Sequence, residues 1–254
     1  VNRTRRAASR SLPDDASRRR LRHGLVVLLT VNAGATDAIG FLALGGAFTS
    51  VMTGNLVLFG IAGARTDGTL ARHILVAVLC FISGCVLGSR LAGVPADKQP
   101  VWPRAVTRAL SVEFAIFCCY AIGWWMQRSH PHGVVQLALL GCNAVALGVQ
   151  SSSVQRFGVP GLSTTYMTGT LTTLIVRLTS GHRLGQVADS LQILGGLVVG
   201  AVVAATLVDR APVVAPMMQL VLVAAVLIGS VPLSRARHDD ADLLSLSRRA
   251  GRSG

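Results

Sequence analysis

Six stretches of this chain are apolar over roughly the length that a membrane demands, at about 24–45, 73–94, 106–126, 133–153, 186–208 and 213–232. A helix rises about 1.5 Å per residue, so some 20 residues cross roughly 30 Å of hydrocarbon. Each stretch therefore predicts a spanning helix, and the fold class is an all-α polytopic membrane protein. Composition agrees, since 51% of residues are apolar and only 14% charged, too little charge to cover a soluble domain of this size.

Net charge is +13, which on a compact domain would suggest nucleic acid. Here most of the excess sits in two tails, 1–23 and 233–254. Arg3, Arg5, Arg6, Arg10, Arg18, Arg19, Arg20 and Arg22 precede the first apolar run, and Arg235, Arg237, Arg248, Arg249 and Arg252 follow the last. Arginines bracketing apolar spans signal a cytoplasmic location and suit anionic lipid, so lipid is the expected partner and nucleic acid is not. The first apolar run resumes after Asp37 and continues to Ala47, too long for a cleaved signal peptide, and is expected to stay as an anchor. Cys80, Cys85, Cys118, Cys119 and Cys142 all lie in apolar runs without metal-ligand spacing, and are expected to be small buried hydrophobes.

Two further apolar segments, 49–64 and 163–179, are shorter and would reach only about 25 Å as straight helices. Both begin with Thr, Ser and Gly, and Gly45-Gly46 and Gly158-Val159-Pro160-Gly161 stand before them as helix stops. They are expected to be broken or re-entrant. Both also carry one phrase: VMTGNL begins at Val51 and YMTGTL at Tyr166. Alignment extends outward from it, with Thr49-Ser50 on Thr164-Thr165, Asn55 on Thr170, and Gly84-x-x-x-Gly88 on Gly196-x-x-x-Gly200. Two anchors in one order predict an internal repeat, 24–126 against 133–232.

Lys and Arg in the loops orient the halves. Eight spans would leave Arg65, Arg72, Arg128, Arg177 and Arg183 inside against Arg90, Lys98, Arg104, Arg108, Arg156 and Arg210 outside. Six spans turn this into seven inside (Arg90, Lys98, Arg104, Arg108, Arg156, Arg177, Arg183) against four outside (Arg65, Arg72, Arg128, Arg210), the better fit to the positive-inside tendency. Three spans per half make the repeats inverted, an arrangement that recurs in transporters whose broken helices meet near the midplane.

The stretches TDAIGFLALGGAFTSVMTGN and QSSSVQRFGVPGLSTTYMTGTLT resemble the YoaK-like family of bacterial integral membrane proteins, a domain of unknown function. The resemblance runs over about 24–232. It implies a bacterial integral membrane protein of about six helices and supplies no substrate; the basic tails place both termini on the cytoplasmic side of the inner membrane.

Candidate chemistry centres on Thr53-Gly54-Asn55 and Thr168-Gly169-Thr170. A Thr can cap the N–H groups of a helix starting beside it, and the Gly lets a ligand approach. Two half-helix N-termini would favour an anionic group between them; alternatively the small residues only pack helices. Asp37 is read as mid-span, with Asn32 five residues before it and Ser152 as its match in the second half. It is either a site for a coupling proton or cation, or a carboxylate bonded to neighbouring Thr and backbone groups. Glu113 reads as inward-facing and polar. The paired glycines read as close helix crossings, and His130-Pro131-His132 lacks a third ligand for a metal.

No cofactor, metal or enzymatic motif is expected; Asp37 and Glu113 alone do not make a nucleophile and base. The leading expectation is a small-solute transporter or channel-like carrier, with a small-molecule or ion substrate bound at Asp37, Thr53, Gly54, Asn55, Thr168, Gly169 and Thr170. The alternative is a non-transporting scaffold or assembly protein, in which an oligomer is equally allowed. Topology is testable on its own. Single cysteines placed in a background without the native five should label from outside at 65–72 and 127–132, and from the cytoplasm at 95–104 and in both tails. Cytoplasmic labelling at 65–72 would restore eight spans and remove the inversion.

Overall fold

The structure, a computed structural model, describes residues 2–92, 102–155, 167–180 and 184–250, and side chains within 17–92, 102–155, 167–180 and 188–233. The helix stop at Gly158-Val159-Pro160-Gly161, Thr164-Thr165 and the loop residue Lys98 lie outside the described residues. The described secondary structure is helical throughout, in eight helices: α1 (Asn2–Ala43), α2 (Met52–Ala64), α3 (Gly68–Ala92), α4 (Arg104–Met126), α5 (Gly133–Val154), α6 (Met167–Thr179), α7 (Leu184–Arg210) and α8 (Ala215–Ala250).

Six of these are long and apolar enough to cross a membrane: Ser17–Ala43, Gly68–Ala92, Arg104–Met126, Gly133–Val154, Ala188–Arg210 and Ala215–Leu233. They correspond one for one to the six apolar runs, while α2 and α6, at 13 residues each, fall short. The basic tails are not separate from the spans. α1 begins at Asn2 and α8 runs on to Ala250, so the charge change near 23 and 233 marks a change of solvent along a continuous helix.

Where α1 ends, Gly45 at φ +105° and Gly46 at φ +78° turn the chain through a conformation that a side chain would strain. A Cβ on Gly45 would collide with the His73 ring in the second turn of α3, and one on Gly46 would sit 3.4 Å from Leu70. The start of α3 therefore lies beside the end of α1, and the segment 47–67 returns to the end of the bundle that it left. The other ends agree. Gln136 at the start of α5 donates to the Ala43 carbonyl, 3.0 Å. The Trp124 and Trp125 indoles at the end of α4 donate to the Pro212 and Val213 carbonyls between α7 and α8, 2.9 and 2.8 Å.

Helices that are both apolar gain little from burial against each other in lipid and associate by close approach. Here α1 packs along α7 and α3 along α5, and glycine is the means in both. A Cβ on Gly84 would collide with the Val145 carbonyl, and one on Gly88 would come 2.8 Å from the Val149 carbonyl oxygen. Likewise a Cβ on Gly200 would collide with the Val31 carbonyl, and one on Gly34 with that of Leu197. α4 packs on α5 and α8, α1 on α8, α2 on α3 and α6 on α7.

The cysteines differ from expectation: Cys119 is exposed and the other four are half-buried, all with free thiols. A small apolar residue suits a lipid-facing position as well as a core, because both sides are equally dry. The outward faces are correspondingly greasy, with Leu56, Val57, Ile82, Val198, Val202 and Ile228 all more than half exposed, as hydrocarbon solvent requires.

Overpacking the glycine contacts should be costly. Gly84→Val and Gly200→Val are each expected to destabilise the detergent-solubilised protein by about 1–3 kcal/mol, whereas Gly60→Val, where nothing lies within 4 Å of an added Cβ, should cost little, since valine is no worse a helix former than glycine. Thermal unfolding of the three variants checks the ranking.

Candidate functional site

Two buried polar centres lie in the bundle, each built around one carboxylate. The first is Asp37, 6% exposed and near the end of α1, not mid-span as the apolar run suggested, since the helix spans Ser17–Ala43. Its Oδ1 accepts from the Thr49 and Ser50 backbone N–H groups, both at 2.7 Å, and from Thr49 Oγ1 at 3.0 Å. Its Oδ2 accepts from Ser50 Oγ at 2.6 Å. Four donors, all from the loop ahead of α2, hold that loop down to the level of Asp37; bonds to a charged acceptor are the stronger kind.

Asn55 completes the clasp. Its side-chain amide imitates a peptide group: Oδ1 accepts from the Phe48 N–H at 2.9 Å, and Nδ2 donates to the Phe48 carbonyl at 2.7 Å. Phe48 in turn stacks on Phe41 of α1, with ring centroids 4.9 Å apart. Asp37 and Asn55 are thus brought to the same loop, one from each side.

The threonines go elsewhere. α2 starts at Met52 with Val51 as its N-cap and no side-chain cap, so Thr53 lies inside the first turn, exposed, and does not cap it. Gly54 is half-buried against Val51 and Phe48. In α6, Thr168 and Gly169 are exposed and Thr170 is buried. Beside Asp37, Phe41, Phe48, Leu197, Ala201 and Val202 line an apolar groove of about 430 Å³ between α1 and α7.

The second centre lies deeper, at mid-span on α1 and α4. Two apolar clusters fill the bundle, one containing Ala33, Phe117, Tyr120 and Leu147, the other Leu29, Leu110 and Val154. Between them sits a polar layer of Asn32, Glu113 and Gln150, all buried. Asn32 Nδ2 donates to Gln150 Oε1 at 3.1 Å and to Glu113 Oε1 at 3.3 Å, and Gln150 Nε2 donates to the Leu29 carbonyl at 3.1 Å. One turn further, Gln219 of α8 donates to Thr36 Oγ1 at 2.8 Å, and Thr36 donates to the Asn32 carbonyl at 2.8 Å.

This layer is not closed. Asn32 Oδ1, Glu113 Oε2 and Gln219 Oε1 are buried without a hydrogen-bond partner, while two turns further along α4 and α5 Tyr120 and Asn143 form a separate buried polar pair. Buried polar atoms in such numbers are uncommon, and each costs about 1–3 kcal/mol if left unmatched. The Glu113 and Asn32 positions were legible as polar residues in apolar runs. Gln150, Gln219, Asn143 and Tyr120 were not, although an uncharged amide inside a spanning segment is itself a usable signal.

Comparison with known proteins bears on the chain as a whole. The family described as "Protein of unknown function (DUF1275)" matches over residues 25–230. The UPF0700 transmembrane protein YoaK of Bacillus subtilis (strain 168) is 32% identical over 154 residues, which cover 61% of this chain and 66% of that protein. The chain thus spans just under two thirds of the length of that relative. No solved structure matches.

The Asp37 clasp generates a prediction. Asp37→Ala removes the acceptor of four donors and should destabilise by about 3 kcal/mol. It should also raise hydrogen exchange at the Thr49 and Ser50 amides well above that of α1 and α3. Unchanged protection of those two amides would mean that the loop is held by something else.

Proposed function

The chain belongs to the family described as "Protein of unknown function (DUF1275)", and we propose that it is a small-solute transporter or channel-like carrier, non-enzymatic, of the bacterial cytoplasmic membrane. The observation that carries this reading is the open polar layer at mid-span, where Glu113 has one oxygen with no partner and the other on a single 3.3 Å bond. An ionisable residue in a dry bundle costs several kcal/mol, about 2.5–3.5 by insertion scales. Packing alone gives no return for that cost, whereas binding or passing a polar solute does.

The proposal includes an inverted repeat. Its support is the pairing of contacts: α1 with α7 answers α3 with α5, α1 with α8 answers α4 with α5, and α2 with α3 answers α6 with α7. The glycine contacts follow suit, Gly84 and Gly88 on Val145 and Val149, Gly196 and Gly200 on Val27 and Val31. With both termini cytoplasmic, α2 dips in from the outer face and α6 from the inner. In this arrangement the Met-Thr-Gly segments frame the two approaches to the polar layer. Asp37 and Asn55 fix the first of them, and Thr53, Gly54, Thr168, Gly169 and Thr170 lie on the first turns of the short helices that a solute passes.

Reconstituted vesicles test this. Purified protein in sealed liposomes, screened against a panel of labelled small solutes and ions, should give flux above protein-free vesicles for at least one of them. Glu113→Gln should lower that flux tenfold or more at equal reconstituted amounts, and Thr53→Val or Thr168→Val should lower it less. Flux equal to that of protein-free vesicles across the whole panel would leave the scaffold reading in possession.

A further inference from the structure

The free atoms of the polar layer are not a random mixture, because the hydrogen bonds determine which way each amide faces. The Leu29 carbonyl can only accept, so the nitrogen of Gln150 faces it and the oxygen of Gln150 faces Asn32. The nitrogen of Asn32 must then serve both Gln150 Oε1 and Glu113 Oε1, which leaves Asn32 Oδ1 free. Thr36 spends its proton on the Asn32 carbonyl, so its oxygen accepts from Gln219 Nε2, which leaves Gln219 Oε1 free. Glu113 Oε2 is the third free oxygen. Asn32, Glu113 and Gln219 are all 0% exposed.

Three buried oxygens along one turn of α1 and the side chains against it thus have lone pairs and nothing to bind, and among the described residues no ion pair reaches Glu113. Acceptors without donors call for a cation. We propose that this layer is a binding site for a small monovalent metal cation of the sodium or potassium class, held by Glu113 with the amide oxygens of Asn32 and Gln219.

The charge count selects the valence. One carboxylate among neutral amides supplies a single negative charge, so a monovalent ion leaves the layer neutral, whereas a divalent ion would leave a net charge in hydrocarbon. Ligand type selects the class: carboxylate and amide oxygens suit hard cations, and among the described residues no group of three or more His, Cys, Asp or Glu offers a transition-metal site. Backbone and side-chain oxygens at mid-membrane are also where carriers hold a coupling ion. The inference rests on reading the layer as the working centre of a carrier, yet binding is measurable without flux.

The test uses the purified full chain in detergent at constant ionic strength, with sodium or potassium chloride replacing choline chloride. A saturable rise in melting temperature of roughly 5 °C is expected with one of the metal ions. It should vanish in Glu113→Gln, and its half-saturation should move to at least tenfold higher concentration in Gln219→Leu, which removes one oxygen at similar volume. Equilibrium dialysis of isotope-labelled sodium and potassium against wild-type protein stands independently of whether either variant folds. Identical melting in all three salts with no retained isotope would overturn the inference, as would a rise that survives in both variants. A melting temperature that follows pH but not the identity of the cation would overturn it too, assigning the free oxygens to a proton carried by Glu113.

Discussion

Lipid gives two apolar helices no reason to prefer each other, so this bundle depends on how closely backbones can approach. On both long contacts each partner contributes glycine. Gly34 on α1 faces the Leu197 carbonyl while Gly200 on α7 faces that of Val31; Gly148 on α5 faces the Phe81 carbonyl while Gly84 on α3 faces that of Val145. Reciprocal contacts of this kind resist sliding as well as separation, because a shift along the axis drives a side chain into a carbonyl. The positions of α1 and α5, and hence of Asn32 and Gln150 upon them, follow from these contacts.

Asp37 and Glu113 show how environment divides labour between two carboxylates. Both are buried. Asp37 meets four donors from one loop and is chemically saturated, so its charge serves to hold a segment of chain that has no helical bonds of its own at that depth. Glu113 meets one weakly placed amide and, among the described residues, nothing saturates it. A saturated carboxylate anchors; an unsaturated one is available. That contrast, more than the depth of either residue, separates architecture from chemistry in this protein.

Much of the architecture was legible because membrane solvent imposes length. The six runs and the two short segments could be counted directly, and the four glycines at 84, 88, 196 and 200 announced close contacts. The site was less legible. Thr53 looked like a cap because it precedes an apolar run, but the helix starts one residue before it, at Met52, and boundaries within one turn are below the resolution of periodicity. Asp37 drew attention as the charged residue, yet its partners Thr49 and Ser50 are local and ordinary. Gln150 and Gln219 passed unnoticed because an amide raises no alarm in a hydropathy profile. Their convergence on one turn of α1, from 118 and 183 residues away, is a tertiary fact with no local signature.

The pairing of α1 with α7 and of α3 with α5 has a consequence for biosynthesis. Chains emerge N-terminus first, so α1 is synthesised and inserted while its glycine-faced partner is still some 150 residues from existing. Until α7 arrives, Gly34 and the backbone around it face lipid or whatever helix is nearest, and the same holds for α3 until α5 follows. Neither half can complete its own packing. The seam between α1 and α7 can therefore close only after the second half is made, and a ribosome stalled at midpoint would leave a fragment whose open glycine seam invites the wrong neighbour.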